Sequence, residues 1–116
     1  MRVIVTGGRR FRDAYVAHRA LDTCKPTVVV QGGANGADRL AREWARIHKV
    51  PCITFHANWS VAGAKAGPIR NSEMIAAGAD LVLAFPGGYG TADCVKKARA
   101  AGIEVRTVEA MCSDCY

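Results

Sequence analysis

Three short glycine-rich runs in the 116-residue chain are suited to chemistry: Gly7-Gly8-Arg9-Arg10, Gly32-Gly33-Ala34-Asn35-Gly36-Ala37-Asp38 and Pro86-Gly87-Gly88-Tyr89-Gly90-Thr91. Glycine admits positive φ and lets a ligand approach the main chain. A helix that starts just after such a run turns unpaired N–H groups and a positive dipole end toward an anion. The expected guest is phosphate. One run alone is explained by a tight strand-to-helix turn. Three supply more conformationally free backbone than turning requires, at roughly 0.5–1 kcal/mol per glycine relative to alanine in regular structure. None matches the GxGxxG dinucleotide fingerprint or the GxxxxGK[ST] phosphate loop, which argues against ordinary NAD or Mg-ATP chemistry.

The polar residues around these runs give the guest its contacts. Arginine, as at Arg9 and Arg70, carries a planar fork that matches phosphate oxygens. Arg70 and Asn71 share a helical stripe with Met74 and Ile75, so Arg70 is directed inward. A buried guanidinium there needs an acceptor: a backbone carbonyl, an aspartate or a ligand oxygen. Trp59 lies in residues 57–67, the longest turn-like stretch, where an aromatic ring either stacks on a base or plugs the end of the sheet.

These residues need a scaffold that brings distant loops together, and the apolar pattern supplies one. It repeats in units of roughly 25 residues, each opening with a β-branched run that stops at glycine, proline or a polar turn. Strands are predicted at residues 2–6, 27–31, 52–55, 81–85 and 104–108. Helices fall between them, most clearly at 37–48, where Ala37, Leu40, Ala41, Trp44 and Ala45 form one face. A weaker one contains Ala17, Leu21 and Cys24, another contains Val95 and Ala98, and a further one runs over 68–77, with Pro68 in its first turn and Gly78 past its end. Strict alternation of β and α elements predicts an α/β, Rossmann-like doubly wound sandwich. It has five mostly parallel strands with helices on both faces, and ligands sit at the carboxyl ends of the strands.

Composition sets the bounds. At 50% hydrophobic and 22% charged residues, the chain is read as one folded domain over residues 1–110 with a C-terminal tail at 111–116. No apolar run reaches the ~18 residues that cross a bilayer and no cleavable leader is visible, so no membrane contact and a cytoplasmic location are expected. Sixteen Lys and Arg against ten Asp and Glu give a net charge of +6, mostly from arginine, which is compatible with an anionic partner or with ordinary solubility. The five cysteines are odd in number and irregularly spaced, so reduced thiols are expected. The Cys112 and Cys115 pair is read as part of a frayed tail. His18, His48 and His56 show no metal-ligand spacing, and neither a metal nor a cofactor is expected.

The order Val-Thr-Gly-Gly-Arg, Gly-Gly-Ala-Asn-Gly-Ala-Asp, Ala-Gly-Pro-Ile-Arg-Asn with Met74, and Ala-Phe-Pro-Gly-Gly-Tyr-Gly-Thr resembles the YspA-like branch of the SLOG superfamily. That branch is related to the LOG-type phosphoribohydrolases and the Smf/DprA proteins. The resemblance implies a Rossmann-like domain that binds a nucleotide-derived ligand such as an ADP-ribose derivative, and a homo-oligomer. In LOG enzymes the signature reads PGGxGTxxE. Here Pro86 to Thr91 match, as do Arg70 and Met74, but the glutamate position is Cys94 and the nearest carboxylate is Asp93. One residue is ~100° around a helix, so Asp93 is expected to point away from the site unless the turn is distorted. Thr91 is a candidate cap of its helix.

Three functions follow in order of preference. The first is binding of a phosphorylated, ribose-containing small molecule by Gly7, Gly8, Arg9, Gly32, Gly33, Asn35, Asp38, Trp59, Arg70, Asn71, Gly87, Gly88, Gly90 and Thr91. The second is hydrolysis of an N-glycosidic bond, with Arg70 and Asp93 as catalytic candidates and Asp38 as an alternative carboxylate. The third is binding of single-stranded DNA, suggested by the kinship and by Phe11 and Trp59 among arginines.

Overall fold

The computed structural model describes residues 1–109; the expected tail with Cys112 and Cys115 lies outside the described residues. Five strands form one sheet: β1 (Arg2–Thr6), β2 (Val28–Gln31), β3 (Cys52–Thr54), β4 (Leu81–Ala84) and β5 (Glu104–Thr107). Their order is β3-β2-β1-β4-β5, and every neighbouring pair is parallel. The helices are α1 (Ala14–Cys24), α2 (Ala37–His48), α3 (Trp59–Ala62), α4 (Ala66–Ala76) and α5 (Tyr89–Ala100). Parallel neighbours need crossovers that bury both sheet faces. The residues divide accordingly. Val3, Val5, Val29, Leu81 and Leu83 pack with α1 and α2 through Ala17, Leu21, Ala41 and Trp44. Ile4, Val30 and Val82 point the other way and pack with α4 and α5 through Met74, Cys94 and Ala98. This is the Rossmann-like sandwich that the alternation predicts.

Local details follow from residue chemistry. The interval 37–48 forms a helix with those bounds because its apolar and charged residues segregate cleanly onto opposite faces. Trp44 joins it to α1 by donating its indole N–H to Asp22 at 2.8 Å. The interval 57–67 departs from the turn-like expectation. It holds the one-turn helix α3 and a 3-10 turn (Gly63–Lys65) that runs directly into α4, which begins two residues before Pro68. Gly78 lies just past the end of α4 with φ +87. Among the described residues no helix is long and apolar enough to cross a membrane.

Register levels the working edge of the sheet. Thr6 pairs with Ala84 and Gln31 with Thr54, so the loops after β1, β2 and β4 leave the sheet side by side. Gly36, which opens α2, has φ 76 and ψ −127 and packs on the Gly8 carbonyl and Arg9, leaving no room for a Cβ. Gly78 shares the positive φ but faces open space. Gly78→Ala therefore carries only conformational strain of about 1 kcal/mol, whereas Gly36→Ala adds a main-chain collision and exceeds it. Denaturant unfolding of the two variants measures the difference, and equal losses contradict the assigned packing.

Candidate functional site

The three glycine loops are tied into one frame by the backbone N–H and carbonyl of Gly8. Its N–H donates to the Pro86 carbonyl at 2.8 Å, joining the first loop to the third. Its carbonyl accepts from Phe11 at 3.2 Å and from Ala37, in the first turn of α2, at 3.3 Å. Gly87 packs against Gly7 and Gly8 and against the Thr91 hydroxyl, so it forms part of this frame and is absent from the cavity wall.

The second loop is held by side chains. Oδ2 of Asp38 accepts the Gly32 and Ala34 N–H groups, each at 3.2 Å. Oε1 of the fully buried Gln31 accepts the Gly33 N–H at 2.6 Å and an Arg42 guanidinium N–H at 3.1 Å, while its amide donates to the Thr54 hydroxyl and is also oriented toward Cys52 Sγ. Arg42 also donates to the Ala34 carbonyl at 3.2 Å. Sequence reasoning missed Gln31 and Arg42. The available signal was a polar residue ending an apolar strand, because a buried amide must find partners.

Helix α4 brings Arg70 inward as expected, and its acceptor is a backbone carbonyl. The guanidinium donates to Gly32 O at 2.6 Å and to Asn71 Oδ1 at 3.0 Å, and its further N–H donors make no hydrogen bond among the described residues. It lies so close over Gly32 that any side chain there would displace it. Asn71 is buried beneath the site. It donates to the Gly90 carbonyl at 3.0 Å and to Asp93 Oδ2 at 3.1 Å, binding α4 to the start of α5.

Asp93 corrects the expectation from the helical wheel. It lines the cavity, held by Asn71 and by Lys97 at 2.9 Å. The reason is the packing of α5: Thr91, Cys94 and Ala98 face the sheet, while Gly90, Asp93 and Lys97 face α4, and the cavity opens over that junction. Cys94, at the LOG glutamate position, is fully buried. Desolvation is the main cause that pushes its thiol up to about 11, against the opposing hydrogen bond from Thr6. A thiol in that state is neutral near pH 7 and supplies no negative charge. Thr91 does not cap α5: the cap is Gly88, with no side-chain hydrogen bond, and the Thr91 hydroxyl makes no hydrogen bond among the described residues.

Together these elements surround a cavity of about 810 Å³, within the ~300–1,000 Å³ range of small-molecule sites. Gly7, Gly8 and Arg9 line it from the first loop, Gly32, Gly33, Asn35 and Asp38 from the second, and Gly88, Gly90 and Thr91 from the start of α5. Trp59 and Arg70 complete the wall with His56, a residue the motifs did not single out, which lies alongside Gly33. Because α5 is capped only by glycine, the N–H groups of its first turn have no partner within the helix. Among the described residues no group of three His, Cys, Asp or Glu side chains is arranged to hold a metal.

A parallel open sheet with glycine loops around a cavity at its carboxyl edge defines a Rossmann-like α/β protein. More specifically, the chain belongs to the YspA, cpYpsA-related SLOG family, whose model matches residues 1–61. That span holds the first two loops. The chain is 42% identical over 116 residues to the Gene 61 protein of Mycobacterium phage D29, an alignment covering 90% of this chain and 93% of the relative. The fold is similar to the X-ray structure of TM1055, with TM-score 0.68, 22% identity, and 90% of this chain and 71% of that one covered. It is also similar to Acinetobacter baumannii MurG, with TM-score 0.57, 16% identity, and 93% of this chain matched to 34% of that one.

Burial is the largest influence on Asp38 and raises its carboxyl above the ordinary 3.8; the Ala34 N–H, Arg70, the Gly32 N–H and Arg42 oppose that rise only in part. A raised folded-state value means that this group contributes stability at low pH that is lost as pH climbs through the folded value. Asp38→Asn keeps an oxygen for the two N–H groups without a charge. The variant is expected to gain on the wild type as pH increases above 3.8. Unfolding curves at stepped pH check this, and a stability difference that does not vary with pH removes the assignment.

Proposed function

We propose that the strand-tip cavity binds a phosphorylated, ribose-containing small molecule of the nucleotide or ADP-ribose class. The observation that carries this reading is the opening of the glycine-capped α5 N-terminus into the same cavity as the Arg70 guanidinium. Unpaired N–H groups, a positive dipole end and a cation then converge where, among the described residues, no anion caps the helix. Thr91 offers a hydroxyl donor to the same phosphate. Asn35 and Asp38 line the cavity and are the partners for ribose hydroxyls in this reading.

Calorimetric titration with ribose 5-phosphate, a nucleoside monophosphate and ADP-ribose tests the reading. Arg70→Ala is expected to weaken the phosphorylated ligand by ~1.5–3 kcal/mol, the scale of a charge-assisted hydrogen bond. Unchanged affinity in a variant that still unfolds cooperatively defeats the assignment.

The position of Asp93 favours a second reading, cleavage of an N-glycosidic bond. Breaking that bond develops positive charge on the ribose, and a carboxylate fixed in the wall stabilises it while water attacks. Asn71 and Lys97 fix Asp93 there. In this reading the wild type releases free base from a panel of nucleotides and Asp93→Asn does so at least ~100-fold more slowly, as expected for loss of an electrostatic or acid–base group. A wild type that releases no base across the panel ends this reading and leaves the binding proposal intact.

A further inference from the structure

We infer that Trp59 and Arg9 form a base subsite, so that the cavity selects phosphorylated ribosides carrying an aromatic base over bare sugar phosphates. The inference rests on the reading above, which assigns residues to the phosphate and the ribose, and adds the residues that hold the base. The two tryptophans of the chain differ in every respect that separates a structural indole from an available one. Trp44 is 3% exposed, donates its N–H to Asp22 and stacks on His48. Trp59 is 48% exposed and lines the cavity, and its indole N–H makes no hydrogen bond among the described residues. A ring that merely plugged the end of the sheet would be covered.

Its placement is built by neighbours. One edge of the indole rests over Gly67, in the first turn of α4, where an added Cβ would come within 3.3 Å of the ring. The guanidinium carbon of Arg9 sits 5.3 Å from the ring centroid, within cation–π range. Among the described residues Arg9 makes no ion pair or hydrogen bond, so the indole face is its partner. A planar cation therefore occupies the place that a planar heterocycle would take. Base-to-indole stacking is stronger than an exposed cation–π contact. On ligand entry the base replaces the guanidinium on the ring, the indole N–H becomes available to a base acceptor, and the charge of Arg9 is freed to face the phosphate.

Ribose 5-phosphate, AMP and ADP-ribose are titrated into wild-type protein, Trp59→Ala and Trp59→Phe, with calorimetry and the two indole N–H resonances as readouts. At least one base-carrying probe is expected to bind the wild type ~10-fold or more tightly than ribose 5-phosphate and to shift the Trp59 resonance but not that of Trp44. Trp59→Ala should bring that probe down to the affinity of ribose 5-phosphate, whose own binding stays the same, and Trp59→Phe should recover most of the loss. The subsite is overturned if base-carrying probes bind no tighter than ribose 5-phosphate, or if Trp59→Ala weakens all probes equally; either result leaves the phosphate and ribose reading standing. Binding of none of the three probes to the wild type overturns that reading and the subsite together.

Discussion

The backbone of one residue, Gly8, organises the working edge of this protein. Its N–H is tied to the loop after β4 and its carbonyl to the start of α2. Three loops that arise far apart in the chain are thereby held in a single main-chain frame. Because main-chain groups make these ties, the loops can spend their side chains and remaining N–H groups on the cavity. The same frame leaves no space for side chains at Gly7, Gly36 or Gly87, where added Cβ atoms would strike the neighbouring loop.

Around that frame the charges are arranged in opposition. Arg70 is clamped by a carbonyl and an amide and faces Asp38, whose own carboxylate holds the second loop by two N–H groups. Asp93 stands in the α4 and α5 wall beside Lys97. Each of these three charges thus has a partner, as its desolvation requires. The glycine-capped first turn of α5 is the exception: it directs a positive dipole end into the cavity, and among the described residues no anion caps it. This imbalance, more than the net charge of +6, makes an anionic guest a physical expectation.

Much of the scaffold was legible along the chain. The apolar period located all five strands, and α2 fell on its expected residues because a strongly segregated helix carries its own boundaries. The interval 57–67 was not legible, since a one-turn helix is too short to show a period and exists only when its surroundings support it. Asp93 was misread for a different reason. A helical wheel gives the angle between Asp93 and Cys94 but not which side of α5 meets the cavity; that depends on where α4 packs. His56, Gln31 and Arg42 carry no local motif, and their roles appear only when Gly33, Thr54 and Ala34 are brought beside them.

By itself the chain determined the alternation of elements, the parallel sheet and the gathering of glycine runs at strand ends, because these follow from periodicity and from the conformations glycine alone adopts cheaply. It also determined that Arg70 turns inward, since the stripe it shares is apolar. The folded structure alone decided which acceptor Arg70 meets, which of two adjacent residues reaches the cavity, and which tryptophan is left open. Those outcomes depend on contacts between residues distant in sequence, and the free energy of such contacts is not written in the local pattern of either partner.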